Sequence, residues 1–504
     1  MQKLWAKVVG NPSPPSQIEI FMATQQPPSP SATLAAAVTD YHRGELHSFH
    51  MPGHKQSINA LHPDAVAVFG SQLISNDLSE MGGFDYLHAP ASTITVAQQR
   101  AAEVFGAART WFLVNGSTVG NLAAITALLG DGDGIVMLRA SHRSVYAGVV
   151  FAGAEPRYVP MRHDGNHDGW FVADNNKLEA ILDSLQPGDV GALHLTRPNY
   201  YGMAVDIDRW VDAARRLDVA LIVDEAHGSH FSFDHRLPPS ALSLGADISI
   251  QSTHKTLGGL TQASMLHVSE RGLRWAASIG RALQQLQSSS PSALLTISLD
   301  LAADHLRADG TGLVSRAVDL AEQLSILVPE PLRVVQAEGA SLDPTKIVID
   351  VRDLAMTGFD ASAWLREHHR IWIELADQHR IVCSITMGDT DQSVHALLVA
   401  LTELSTQRGL RAAETSRDWV LPPRAMSPRR AVQAPTQAVS IEAAGGRIAA
   451  EYIIPYPPGI PLVVPGEELT AEVLATLGQY RGAGSKVVGT DDPSLASLVV
   501  VRNE

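Results

Sequence analysis

Cysteine is almost missing: Cys383 is the only one in 504 residues, which excludes an intramolecular disulfide framework and suits a reducing, cytoplasmic setting. Long apolar runs are missing as well, with nothing near the roughly 18 residues that a membrane-spanning helix needs. Positive charge is the minority sign, 38 Lys+Arg against 53 Asp+Glu for a formal net charge of −15. Clustered Lys/Arg, whose counterion release drives non-specific nucleic-acid binding, is therefore not available. What is present is an ordinary globular composition, 45% hydrophobic and 18% charged. At roughly 150 residues per domain the length allows two to four domains, and it can bury a large core without staples. These exclusions leave a small-molecule enzyme, with no nucleic-acid or membrane partner, as the expectation.

Along the chain, residues 1–30 carry Pro12, Pro14, Pro15, Pro27, Pro28 and Pro30 but only Lys3, Lys7 and Glu19 as charged side chains, and they read as a disordered leader. The leader has neither the Arg content of a transit peptide nor the apolar core of a secretory signal. Met22 opens MATQQPPSP, a candidate for the real start of translation. From about Thr33 to Leu401, strand-like apolar runs alternate with amphipathic stretches, as in TWFLVNGST followed by VGNLAAITALLG. That alternation predicts α/β architecture with a largely parallel sheet. Ligands in such sheets bind beyond the carboxyl ends of the strands, so the polar residues that matter should follow the apolar runs. Composition shifts near Thr406–Gln437, rich in Arg, Pro and Ala and without a helical stripe, which marks the passage into a C-terminal module of about 85 residues. Inside it, the five prolines of IIPYPPGIPLVVPGEEL (453–469) predict a rigid, extended segment.

Four segments carry candidate chemistry. Asn115-Gly116-Ser117-Thr118-Val119-Gly120-Asn121 lies between a strand and a helix, where small residues let backbone N–H groups and the hydroxyls of Ser117 and Thr118 surround a phosphate. An ordinary capped helix start is the plain alternative. Asp224, at the end of ALIVD and followed by Glu225, Ala226 and His227, is placed to hold a proton on a heterocyclic nitrogen. His227 and His230 with these acids invite a metal reading, but the spacing matches no closed zinc set, and no metal ligand is expected. Lys255 follows Ser252-Thr253-His254 just beyond another apolar run, 31 residues after Asp224. A lysine so flanked suits a Schiff base with a carbonyl cofactor, although a solvated surface lysine has the same look in isolation. His142, in Ser141-His142-Arg143-Ser144 after GIVMLRA, can stack on a planar ring. Phosphate cradle, ring stacker, ring-nitrogen acid and Schiff-base lysine, in that order, describe a site for pyridoxal 5'-phosphate (PLP).

The chain resembles the ornithine/lysine/arginine decarboxylases, PLP enzymes of fold type I with the aspartate-aminotransferase-like fold. The resemblance rests on FHMPGHK (49–55), NDLSEMGGFDYLHAP (76–90), WFLVNGST (111–118), SHRSVYAGVVFAGAEP (141–156), VDEAHGSHF (223–231), SIQSTHKTLGGLTQASMLHV (249–268), SSSPSALLTISLDLA (288–302) and WIELAD (372–377). SPRRA and PYPPGIPLVVPGE look like the family's small C-terminal domain. About 50 residues precede HMPGHK, so the resemblance is to the short form without an N-terminal wing domain. It implies a large domain with a mainly parallel sheet, a smaller α/β lobe and a small C-terminal α+β domain, drawn as 31–310, 311–417 and 418–504.

The resemblance further implies that Lys255 bears the cofactor, His142 stacks on its ring, Asp224 pairs with the ring nitrogen and Ala226 packs on the opposite face. Gly116, Ser117, Thr118, Ser252 and His254 are implied around the phosphate, with His227 also in the cofactor set. The family's shared dimer sites put Ser288, with His50 and His54, into the neighbouring subunit's site. The implied reaction is α-decarboxylation of arginine, lysine or ornithine, with Lys255 or His254 returning the proton to Cα and Glu374 facing the distal cation of the substrate; Asp377, the acid that closes the same stretch, is the next substrate-binding candidate. The stretch from Ile371 to Asp377 alternates like a strand that ends in acids. An aminotransferase or lyase on the same fold, or a non-catalytic PLP-binding protein, stays open at this stage.

Overall fold

The computed structural model describes residues 33–43, 47–80, 85–164, 170–336, 341–409, 421–456, 459–482 and 485–502. The leader and the candidate start at Met22 lie outside these residues.

The central layer is a seven-stranded sheet built from β1 (Arg109–Leu113), β2 (Gly134–Leu138), β3 (Glu155–Val159), β4 (Ala192–Thr196), β5 (Ala220–Asp224), β6 (Ile248–Gln251) and β7 (Ser264–Val268), in the order β1-β7-β6-β5-β4-β2-β3. Neighbours from β6 through β3 pair parallel, and only β7 runs against both its neighbours. Every residue of β5, β6 and β7 is buried, which is why these runs read as continuously apolar rather than alternating.

One face of the sheet is covered by α1 (Gly116–Leu128), α2 (Arg143–Ala152) and α4 (Ala276–Leu286), whose Val119, Ile125, Val145, Val149, Ile279 and Leu283 pack on Leu113, Met137, Ile222 and Ile250. The other face is covered by α3 (Asp208–Leu217) and the helix Asn175–Ser184. Gly120 sets the close approach of α1. A Cβ there would lie 2.7 Å from Ile250 Cγ2 and 2.9 Å from Leu113 Cδ1, so a larger residue would lift the helix off the sheet.

The 35-residue α5 (Ala293–Leu327), broken in φ/ψ at Asp309, shares its buried residues between the large core and a second core. The division expected at 310/311 therefore falls within one helix. The second core belongs to a four-stranded sheet, β8 (Arg333–Val334), β9 (Lys346–Asp350), β10 (Leu375–Ala376) and β11 (Arg380–Ser384), ordered β8-β9-β11-β10 and antiparallel throughout. Helices α6 (Gly358–His369) and α7 (Asp391–Ser405) back it. The 371–377 stretch does alternate in exposure, but its strand is only β10. Arg370 closes α6 in the left-handed region, and Trp372 is 79% exposed, so ladder pairing begins only as Glu374 N–H donates to Val382 O.

Two further expectations need correction. The Arg/Pro/Ala passage includes a short helix, α8 (Pro428–Gln433), started by Ser427 as N-cap and a proline at its first position. Arg429 in α8 reaches the C-terminal end of α2, where it donates to the carbonyls of Val150 and Phe151. The proline-rich run is also not simply extended. After β13 (Ile454–Tyr456) the chain doubles back, so that the N–H groups of Leu462 and Val463 donate to Ile453 O. Pro457 and Pro458 of that run lie outside the described residues. The module pairs β13 with β14 (Lys486–Val488), and β12 (Thr436–Ser440) with β15 (Ser497–Val501); α9 (Ala471–Gly482) completes its core. Arg139, just past β2, anchors the module through a fully buried ion pair to Glu467 at 2.9 Å.

Candidate active site

Five strands deliver their following residues to one edge of the sheet: Ser117 after β1, His142 after β2, Tyr200 after β4, His227 after β5 and Lys255 after β6. The run ADISIQSTHK (246–255), which in sequence reads as a short strand entering a polar loop, does not end in one. Ser252 leads into a single helical turn, Thr253–Thr256, on which Lys255 is raised into the cleft. Its Nζ lies 3.0 Å from His227 Nε2, and its side chain is open to solvent on one side. Burial lowers the Lys255 pKa; the nearby carboxyls of Asp224 and Glu374 oppose this, and Lys346 adds to it. His227 is pushed well below the usual imidazole range, by burial first and then by Lys255 and Lys346. A neutral imidazole against the amine is the result.

Asp224 is 2% exposed. Its Oδ2 accepts from Asn121 Nδ2 at 2.9 Å and its Oδ1 from the Ala226 N–H at 3.2 Å. The same Asn121 amide donates to Ser144 Oγ at 3.0 Å, which lies 2.7 Å from His142 Nδ1. Asp224 and His142, 82 positions apart in the chain, thus share one relay. His142 also caps α2, its Nδ1 accepting from Ser144 N–H. Its imidazole pKa is lowered by burial, with Asp224 opposing and Lys255 and Arg143 adding to the drop.

At the opening of α1, Gly116 has φ +71°, and nothing stands within 4 Å of where its Cβ would be. Ser117 Oγ lies 2.7 Å from Ser252 Oγ, and Thr118 is exposed on the first turn. His254 donates neither to Lys255 nor to Asp224; its Nδ1 lies 2.8 Å from Ala263 O, and burial lowers its pKa. The hydroxyls, the free space and the helix N-terminus form a cradle for an anionic group.

Other expected residues lie apart from this cluster. Ser288 sits on the exposed rim, its N–H donating to Asn115 Oδ1 and its carbonyl 2.7 Å from His88 Nε2. His54 pairs with Asp77, and His50 Nδ1 lies 2.6 Å from Met51 O. Glu374 is exposed, yet close enough for its charge to act on both Lys255 and Lys346. Asp377 is committed elsewhere: it accepts from Tyr201 Oη at 2.9 Å, from the N–H groups of His379 and Arg380, and from the Arg380 guanidinium. His230 does not join His227 but bonds Asp343 and Thr345. Among the described residues, no group of three or more His, Cys, Asp or Glu is arranged to hold a metal ion.

Asn121, Ser144, Tyr200 and Lys346 are missing from the sequence-based site. Asn121 is four residues from Ser117 and so on the same face of α1, a signal present in the NGSTVGN motif. Lys346 is 8% exposed, hydrogen-bonded to Ser384 on the small sheet, and nothing local in DPTKIVID marks it.

Comparison with known proteins agrees with this arrangement. Residues 32–330 match the major domain of Orn/Lys/Arg decarboxylase, and residues 411–486 match its C-terminal domain. The arginine decarboxylase of Halalkalibacterium halodurans is 37% identical over 467 residues, covering 90% of this chain and 94% of that protein. In fold, the chain is similar to the lysine decarboxylase LdcF of Francisella novicida, with a TM-score of 0.79 at 20% identity over 93% of this chain and 80% of that one. A more distant fold neighbour is the enzyme SPT, solved with PLP, with a TM-score of 0.50 at 15% identity over 68% of this chain and 81% of that one. With both domain matches in chain order and a relative covering nine-tenths of the sequence, the chain belongs to the Orn/Lys/Arg decarboxylase family and is a decarboxylase, a carboxy-lyase.

Proposed function

We propose that the protein is a PLP-dependent α-decarboxylase of a basic L-amino acid, arginine foremost, releasing CO2 and the corresponding amine. The observation that carries this reading is the convergence of Lys255, His227, Asp224 and His142 at one sheet edge, beside an anion cradle at the start of α1. The choice of arginine rests on the arginine decarboxylase relative.

The residues fit the cofactor. Lys255 would hold its aldehyde carbon, Asp224 its ring nitrogen, His142 one ring face and Ala226 the other. Gly116, Ser117, Thr118, Ser252 and His254 would surround its phosphate. When bound, PLP supplies a conjugated ring that takes up the electron pair left when the Cα–carboxylate bond breaks. Asp224 holds a proton at the ring nitrogen, because a nearby carboxylate favours the charged form. The depressed Lys255 pKa makes the amine available as a nucleophile and proton carrier. Its position against His227 gives that proton a route to Cα, and His254 is the alternative donor. Glu374 faces the distal cation of the substrate, while Asp377 braces Tyr201 and β11.

We further take 31–310 as the cofactor-binding major domain, 311–417 as the small lobe and 418–504 as the C-terminal domain. The working unit is a homodimer with shared sites. Phe49 and Met51, 95% and 71% exposed, suit a partner surface, and Ser288 on the rim would then serve the partner's site. We place the enzyme in the cytoplasm, where its one thiol, Cys383, buried and with its pKa pushed up to about 12, stays inert.

The test is to incubate purified protein and PLP with arginine, lysine and ornithine and identify the amine and CO2. Borohydride reduction with peptide mapping should place the pyridoxyl group on Lys255. Lys255→Ala should abolish turnover and the cofactor absorbance. A 2-oxo acid as product, or the label on Lys346, would overturn the reading.

A further inference from the structure

Directly beneath the catalytic acid is a polar cluster that the proposed mechanism does not use. Thr196 ends β4 and pairs in register with Asp224 at the end of β5; His194, two residues earlier, pairs with Ile222 on one side and Met137 on the other. Side chains two apart along a strand share a face, and in-register neighbours on parallel strands do too. Ile222 and Met137 belong to the core under α1 and α2, so His194, Thr196 and Asp224 all face those helices. Asn121 comes down from α1 onto the same spot.

The polar groups here are deeply buried and short of partners. His194 is 0% exposed and Asn121 1%. Both ring nitrogens of His194, Thr196 Oγ1 and Asn121 Oδ1 have no hydrogen-bond partner from another described residue. Buried polar atoms without partners are rare, and several together around one spot point to a shared bridging group, commonly an ordered water with two to four polar neighbours. His194 is an awkward choice for a core position surrounded by Met137, Ile222 and Ala192, where a leucine would fill the space without an unpaired group. Burial holds its imidazole down to about 4, with the Asp224 charge opposing, so it is neutral and has both a donor and an acceptor to offer.

We propose that His194 is a positioning residue for Asp224: with Thr196 and the Asn121 amide oxygen, through one bridging water, it completes a hydrogen-bond floor that fixes the orientation of the Asp224 carboxyl toward the cofactor's ring nitrogen. The upper half of this network is visible in the bonds from Asn121 and the Ala226 N–H to the two carboxyl oxygens. The lower half stops the Asn121 amide from rotating away. Without it, the amide that also links Ser144 and His142 loses its anchor, and acid and ring stacker fall out of register. The inference rests on the PLP reading of the site.

The experiment compares His194→Leu, His194→Asn and Thr196→Val with wild type as full-length, PLP-loaded protein. Readouts are the cofactor absorption spectrum, PLP affinity, kcat and KM separately, and the thermal stability of the PLP-free form. His194→Leu should lower kcat about tenfold with KM changed less than about twofold, and shift the absorption band, while the PLP-free protein is as stable as wild type or more so. His194→Asn should recover most of the spectrum and of kcat, and Thr196→Val should move both in the same direction by less. A wild-type spectrum and kcat in His194→Leu would overturn the proposal and leave His194 as a core residue. If that variant does not fold, a wild-type spectrum and kcat in Thr196→Val would overturn it instead. Absence of a PLP band in the wild type would sink the parent reading, a result distinct from either.

Discussion

Asp224 and Glu225, adjacent in sequence at the end of β5, lie on opposite faces of the sheet and have opposite surroundings. Glu225, 0% exposed, is held on the α3 face by the Ala241 N–H, Ser249 Oγ and Gln251 Nε2, with Arg197 at 3.6 Å. Its pKa is raised by burial against the pull of those partners. Among the described residues the Asp224 carboxyl has two direct bonds, and its neighbourhood contains atoms of Asn121, His194 and Thr196 that have no partner there. A carboxyl whose lone pairs are all spoken for is part of the scaffold. One that keeps capacity in reserve, next to an amine and two imidazoles, is available for chemistry.

The comparison can be broken most directly by exchanging the consequences. Asp224→Ala should leave folding nearly intact and lower kcat by about a thousandfold, roughly 4 kcal/mol on the barrier, with PLP retained through the phosphate cradle. Glu225→Ala should do the reverse. It leaves three buried donors without an acceptor and removes the carboxylate that faces the buried Arg197, a loss of about 3–5 kcal/mol in unfolding free energy, read by urea titration. A stable but inactive Glu225→Ala protein would show that the two acids have been assigned to the wrong roles.

Acid sensitivity sharpens the same contrast. Unfolded histidine takes up its proton near pH 6.5, whereas folded His194 is held down to about 4 by burial. Between those values the unfolded chain binds more protons, so stability rises with pH and is lost on acidification. Going from pH 7 to pH 5, this one group should cost about 2 kcal/mol. Burial also lowers His267, to about 3, which works in the same direction. His194→Leu should therefore flatten the pH dependence of unfolding by about 2 kcal/mol over that interval. An unchanged slope would mean that His194 is already charged or solvated in the folded protein.

Much of this was legible in the linear chain, and for a physical reason. In a parallel α/β sheet the residue that follows an apolar run is the residue at the ligand edge, so Lys255, Asp224, His142 and Ser117 could be found by reading what comes after SIQ, ALIV, GIVML and TWFL. The parts that were not legible depend on pairings across the chain. His194 lies inside a run, ALHLT, where its neighbours make it look like core. Lys346 gains its meaning only when β9 brings it beneath the loop that holds Gly202, whose Cβ would sit 2.8 Å from Lys346 Cβ. Asp377 was placed near the substrate because it closes an acidic strand end, but Tyr201, 176 positions away, already occupies it. The double-back of the proline-rich run was hidden for a similar reason, since proline restricts φ locally and says little about which distant carbonyl the next free N–H will meet.

The smallest expected effect concerns Glu374, the acid that the comparison of neighbouring carboxyls leaves in an intermediate position. Like Glu225 it has a structural attachment, the bond from its N–H to Val382 O, but that bond uses the backbone and leaves the side chain uncommitted. Unlike Asp224 it is exposed, so the proposed interaction with a substrate cation would begin in water and gain strength only as the bound substrate excludes solvent. Its charge already acts on Lys255 and on the buried Lys346. Under the proposed function a cationic substrate end would meet Glu374 in competition with Lys346, which would limit the attraction to a modest value. Glu374→Gln keeps the shape and removes the charge. It should raise KM for the preferred basic amino acid about tenfold, or roughly 1.4 kcal/mol, with kcat and the cofactor absorbance nearly unchanged. A Lys346→Met partner variant separates the two contributions: if Lys346 weakens the attraction, Lys346→Met alone should lower KM, and Glu374→Gln should raise KM more in that background than in wild type. Strict additivity would show that Lys346 does not compete with the substrate for Glu374, and an unaltered KM in Glu374→Gln would remove Glu374 from the site.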